Sequence, residues 1–209
     1  MYVVILAGGI ASGKSSVAER LASLGAVRID LDVLSRQVTE VGSPALSEIA
    51  SAFGEDVIDE EGCLRRPVLA RRAFASPEET RLLESIVHPH IRLLLKERLA
   101  ALGDQGFKSV VVVEVPLLDR VEDLIAEVDE VLVVTCPTEV RRVRAIGRGM
   151  DGSDFDARVG KQPTDEWLVA RADTIFDNRG TRQELIDEVD AWFYARTAQL
   201  GGASAPEGI

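Results

Sequence analysis

Apolar and polar positions alternate between two regimes along this chain. Continuous apolar runs at Tyr2 to Leu6, 26–30, Ser109 to Glu114, Val131 to Thr135 and Asp173 to Asp177 predict five strands. The run at 109–114, apolar on both faces, reads as a central strand of a parallel sheet. Helix-period stretches lie between them. Val17, Leu21 and Leu24 share one face before the stop at Gly25. Leu46, Ile49, Ala50 and Phe53 recur after Pro44 and end at Gly54. Ser76-Pro77-Glu78-Glu79 is a capping box opening a helix through Leu82, Leu83 and Ile86. His88-Pro89 is expected to end it, with a second helix running from Pro89 to about Leu102. A short helix is expected to reach about Val128, and Thr181 with Glu184 caps a last one whose Trp192 and Phe193 face the core.

The 33–103 stretch is too long for a plain crossover and reads as a helical insertion between the second and third strands. The expected class is therefore α/β: a five-stranded parallel core flanked by helices, from 1–32, 104–138 and 171–200, with that insertion. The segment 139–170, with Gly147, Gly149 and Gly152 as hinges, is expected to form a helical lid, and 201–209 a frayed tail.

Between the first strand and first helix lies Gly8-Gly9-Ile10-Ala11-Ser12-Gly13-Lys14-Ser15, a complete phosphate loop in its strand–loop–helix context. Glycines let the backbone close around a phosphate, and the helix N-terminus favours an anion. Lys14 is placed to reach the β- and γ-phosphates and Ser15 to meet Mg²⁺. Ala11 stands where many such loops carry glycine, which is tolerable if its φ stays negative. The second strand ends on Asp30, with Asp32 two residues on. Such carboxylates can hold a metal–water shell or take a proton from a hydroxyl nucleophile. Glu114, ending the third strand, matches an acidic residue that holds Mg²⁺ through water. Arg144 and Arg148, four apart, are expected to share a helical face above the loop and neutralise a transferring phosphoryl group.

Charge narrows the partners. A formal net charge of −11 argues against a nucleic-acid surface. No apolar run approaches a membrane span, and no basic region precedes the first strand, so neither a span nor a leader is expected. Cys63 and Cys136 read as thiols in a reducing compartment, in keeping with a cytoplasmic protein.

With these pieces placed, the chain resembles the dephospho-coenzyme A kinase family over nearly its whole length. The resemblance rests on Gly8 to Ser15, Ile29 to Arg36, Val41-Gly-Ser-Pro-Ala-Leu46, Phe53-Gly54, His88-Pro89 and Val115-Pro-Leu-Leu118. The Arg144/Arg148 pair, Gln162, Ala172-Asp173 and Asn178-Arg-Gly180 complete it. It implies transfer of the γ-phosphoryl of ATP to the ribose 3′-hydroxyl of dephospho-CoA. By that resemblance Asp32 is the base, Lys14 and Arg144 steady the phosphoryl group, and Ser15 sits at the metal. Arg148 supports closure and Asn178 lines the ATP site; Arg36, His88, Pro116, Leu117 and Leu118 lie by the acceptor. The chain departs from the family at Leu64-Arg65-Arg66, at Asp119 and Arg120, and near Trp167, where a lysine is usual. A nucleoside monophosphate or other small-metabolite kinase remains the alternative; a GTPase-type switch lacks its N-K-x-D segment here.

Overall fold

A computed structural model describes residues 1–201, so all but the first residue of the expected 201–209 tail lies outside the described residues. The chain divides into two compact units, one from Met1–Asp30 with the chain from Phe107 onward, the other Leu31–Gly106.

In the first unit, strands β1 (Tyr2–Ala7), β2 (Val27–Asp30), β3 (Val110–Glu114), β4 (Glu130–Thr135) and β5 (Thr174–Asp177) pair in parallel in the order β2-β3-β1-β4-β5. β1 lies at the centre, between β3 and β4, and its order neighbours run to opposite sides of it. The loop leaving its carboxyl end therefore opens where α/β sheets gather ligands. Helices α1 (Lys14–Ser23) and α9 (Arg182–Gln199) cover one face. There Val4, Leu6, Val110, Val112, Leu132 and Val134 alternate out of the sheet onto Val17, Leu21, Val189, Trp192 and Phe193. Each such burial stabilises by roughly 1.5–3 kcal/mol, so the face is well anchored. Three further helices, α6 (Thr138–Gly147), α7 (Gly152–Val159) and α8 (Asp165–Val169), fall between β4 and β5. Beyond Pro116, the short helix expected there takes the form of two 3₁₀ segments, Leu118–Arg120 and Glu122–Glu127.

The second unit is all helical: α2 (Leu31–Gln37), α3 (Pro44–Phe53), α4 (Arg66–Ala73) and α5 (Pro77–Asp104). α2, α3 and α4 each pack on α5, burying Leu34, Ile49, Phe53, Leu69, Val87, Ile91 and Leu95. Ser43 and Ser76 cap α3 and α5 by accepting the N–H of Leu46 and Glu79. The expected break at His88-Pro89 does not occur, since α5 runs through Pro89 as one 28-residue helix. α4 carried no strong period, and only its Pro67 signals it.

Candidate active site

The phosphate loop leaves β1 at Gly8 and enters α1 at Lys14. Gly13, with φ 114°, is its helix-capping residue; a Cβ there would lie 2.2 Å from Asn178 Nδ2. That amide donates to Ser12 O at 2.7 Å, so Asn178 clamps the loop from the end of β5. The expected negative φ at Ala11 is not found. Its φ is +58°, the left-handed region, because the loop's turn is set by its neighbours and the alanine must follow.

Three features make this loop an anion cradle. α1 has no acidic residue in its first turn and no side-chain cap, leaving its N–H groups to a ligand. The Ser12 hydroxyl is buried with no hydrogen-bond partner among the described residues. Lys14 curls back so that Nζ donates to Gly8 O and, at 3.2 Å, Gly9 O, holding its charge over the loop.

Around the loop stand residues of α6 and the chain that follows it. Arg144 Nη2 donates to Asn178 O at 3.1 Å and Nη1 to Cys136 Sγ at 3.4 Å. Burial pushes the Cys136 thiol up, against the opposing pull of Arg144 and Arg141. α6 ends at Gly147, so Arg148, one turn beyond Arg144, is its exposed C-cap and not a residue within the helix. The expected hinge glycines flank or form the α6–α7 connection: Gly147 ends α6, Gly149 adopts φ 87° in the turn, and Gly152 begins α7 beneath the Arg142 guanidinium, which pairs with Asp156.

Pro116 and Leu118 line a small crevice with Gly8, Gly9, Gln162, Pro163 and Leu168, and Leu117 is half-buried beside them in sequence. Asp30 and Glu114 are register partners at the ends of β2 and β3. Glu114 is buried and accepts Arg28 Nε, a partner that the sequence reading did not assign to it. Among the described residues no group of three or more His, Cys, Asp or Glu could hold a metal.

Asp32, Arg36 and His88 belong to the helical unit. Asp32 and Arg36 are exposed, one turn apart on α2. His88 is half-buried within α5 and not at a helix end, because Pro89 does not stop that helix.

Two loop partners escaped the candidate site drawn from sequence. Gln162 Oε1 accepts the Ile10 N–H at 2.7 Å. Arg141 lies against Gly9, where a Cβ would meet its Nη1 at 1.7 Å. A signal existed for Arg141: positions 141, 144 and 148 stand at i, i+3 and i+7, one helical stripe.

A parallel sheet in this order, with a glycine-rich anion cradle between its central strand and the next helix, defines a phosphate-loop kinase core. The family model of dephospho-CoA kinases matches residues 2–184, and the chain belongs to that family. It is 42% identical over 194 residues to the dephospho-CoA kinase of Corynebacterium jeikeium, covering 92% of this chain and 98% of that one. Among solved structures, it is similar to TT1252 from Thermus thermophilus, with TM-score 0.77 and 32% identity over 91% of this chain and 95% of that one. The dephospho-CoA kinase from Campylobacter jejuni shares the fold, with TM-score 0.71 and 24% identity over 94% of this chain and 98% of that one.

Proposed function

We infer that this chain transfers the γ-phosphoryl of ATP to the ribose 3′-hydroxyl of dephospho-CoA, giving coenzyme A and ADP. The observation that carries the reading is the family match over residues 2–184, spanning an intact and uncapped phosphate loop.

Phosphoryl transfer is mostly positioning and charge stabilisation, which these residues can supply. Loop amides other than those of Ile10 and Ser12, which donate to Gln162 Oε1 and Gly9 O, hold the β- and γ-phosphates, and Lys14 swings from the loop carbonyls to the phosphate oxygens. Arg144, fixed by Asn178 O, offsets charge on the transferring group; Arg148 reaches it when the 139–170 segment closes as a lid. Closure excludes water and suppresses idle ATP hydrolysis. Asp32 takes the proton of the acceptor hydroxyl, with Arg36, His88 and the Pro116–Leu118 segment lining the acceptor. The helical unit, including the 33–103 stretch, supplies acceptor recognition.

The donor set fits Mg²⁺: one hydroxyl, Ser15, and two carboxylates, Asp30 and Glu114, all hard oxygen donors. Ser15 would hold the ion directly and the carboxylates through water, with Glu114 held in place by its ion pair to Arg28. A bound Mg²⁺ would supply charge neutralisation on the triphosphate. The substrates are water-soluble, and among the described residues no helix is long and apolar enough to cross a membrane.

A coupled assay of ADP release tests the reading. Release that requires dephospho-CoA is expected. Equal release without it, or with a nucleoside monophosphate in its place, would overturn the assignment.

A further inference from the structure

The mechanism above leaves a buried charge beside the phosphate loop unused. Arg141, on α6, is 5% exposed. Its Nη2 donates to Thr138 Oγ1 at 2.9 Å and to Asp165 Oδ2 of α8 at 3.1 Å, while its Nε has no partner among the described residues. Its Nη1 occupies the space beside Gly9 that a Cβ would need. A guanidinium this deep is costly unless something nearby is anionic, and Asp165, a third exposed, is a weak match for it. The second tie, Gln162 Oε1 to the Ile10 N–H, joins the adjacent loop residue to the same segment, three residues before Asp165. Two neighbouring loop residues are thus gripped by one stretch, 162–165, directly in one case and through Arg141 in the other.

The geometry points to Arg141 as a positioning residue for ATP: it fixes the Gly9 end of the phosphate loop, and Asp165 sets its orientation. It does not touch the reacting atoms in this assignment. The guanidinium fills the gap left by a missing side chain at Gly9, so the loop keeps the curvature its amides need to face a phosphate. Its positive charge beside the loop adds to the field felt by the triphosphate. Glycine at position 9 and arginine at 141 are then a matched pair, and neither can change alone. This rests on the kinase reading for its turnover measurements but not for ATP binding.

The test measures ATP affinity by direct titration and kcat and KM for both substrates. Arg141→Met keeps the side chain's length and loses its charge and fork. It is expected to weaken ATP binding about tenfold and raise KM for ATP alike, leaving KM for dephospho-CoA unchanged. Gly9→Ala alone should abolish measurable ATP binding, and Gly9→Ala with Arg141→Ala should regain much of it, since the second change empties the clashing space. Asp165→Asn, which keeps the buried guanidinium, should weaken ATP binding about threefold and carries the test if Arg141→Met does not fold. ATP affinity within twofold of wild type in Arg141→Met or, where that does not fold, in Asp165→Asn overturns the proposal. So does a Gly9→Ala defect that the second substitution fails to relieve. Loss of dephospho-CoA dependence with these ATP effects intact would count against the kinase assignment alone.

Discussion

Ala11 sits at φ +58°, a conformation that its Cβ disfavours by about 1–2 kcal/mol and that glycine adopts freely. Ala11→Gly removes that strain but adds chain entropy to the unfolded state, so the expected net gain is about 0.5–1 kcal/mol. Chemical denaturation measures it, and a loss of stability would mean that the alanine methyl makes contacts outweighing its backbone. The chemistry-bearing side chain to change is Asp32, exposed at the start of α2. If it is the base, Asp32→Asn should lower kcat about 10²- to 10⁴-fold while ATP affinity stays within twofold, because general base catalysis supplies an effect of that size. Retained turnover in that variant would move the base role elsewhere.

At the scale of elements, what could be read in advance followed from local signals. Strands β1, β3 and β4, each built around an unbroken apolar run, and the loop between β1 and α1 stood out because their spacing is dictated by neighbours in sequence. Cys136 beneath Arg144, Gln162 against Ile10 and Arg28 on Glu114 join positions 8, 152 and 86 residues apart, and no period announces such pairs. Pro89 misled for a different reason. A proline costs a helix one hydrogen bond and a clash, about 3 kcal/mol, but α5 buries Val87, Ile91 and Leu95 on both sides of it, and that packing outweighs the local penalty. Pro89 is exposed, so Pro89→Ala restores an N–H to the helix without disturbing the core. Urea denaturation should show about 1–3 kcal/mol of added stability, the lower figure applying if water already serves the Ser85 carbonyl. A loss would indicate that the local backbone Pro89 imposes is needed for α2–α4 to pack.

For the molecule as a whole, one buried carboxylate with a lowered pKa ties stability against pH to the sheet. Glu130, 3% exposed at the start of β4, accepts hydrogen bonds from Tyr2 Oη, Thr174 Oγ1, Trp192 Nε1 and Arg196 Nε, tying β1, β4, β5 and α9 together. Burial alone would raise its pKa, but these donors, led by Arg196, outweigh it and hold the carboxyl below its ordinary 4.5. A depressed carboxyl binds its proton less readily folded than unfolded. Its stabilisation is therefore complete above about 4.5 and lost as pH falls through the lower folded value. Tyr2 is shifted the other way: burial first, then the Glu130 charge, raise it above 10.0, so folding loses support as pH climbs past 10.0. Glu130→Gln removes the charge and leaves the partly exposed Arg196 against a neutral amide, which should cost about 2 kcal/mol at neutral pH. It should also flatten the fall of stability below pH 4.5, where the wild-type carboxylate is being protonated anyway. Denaturation midpoints for both proteins from pH 3 to pH 8 ought to converge toward the acid end. Parallel curves across that range would mean that Glu130 holds the sheet by shape alone, and that acid sensitivity arises from the other carboxylates of a chain carrying 35 of them.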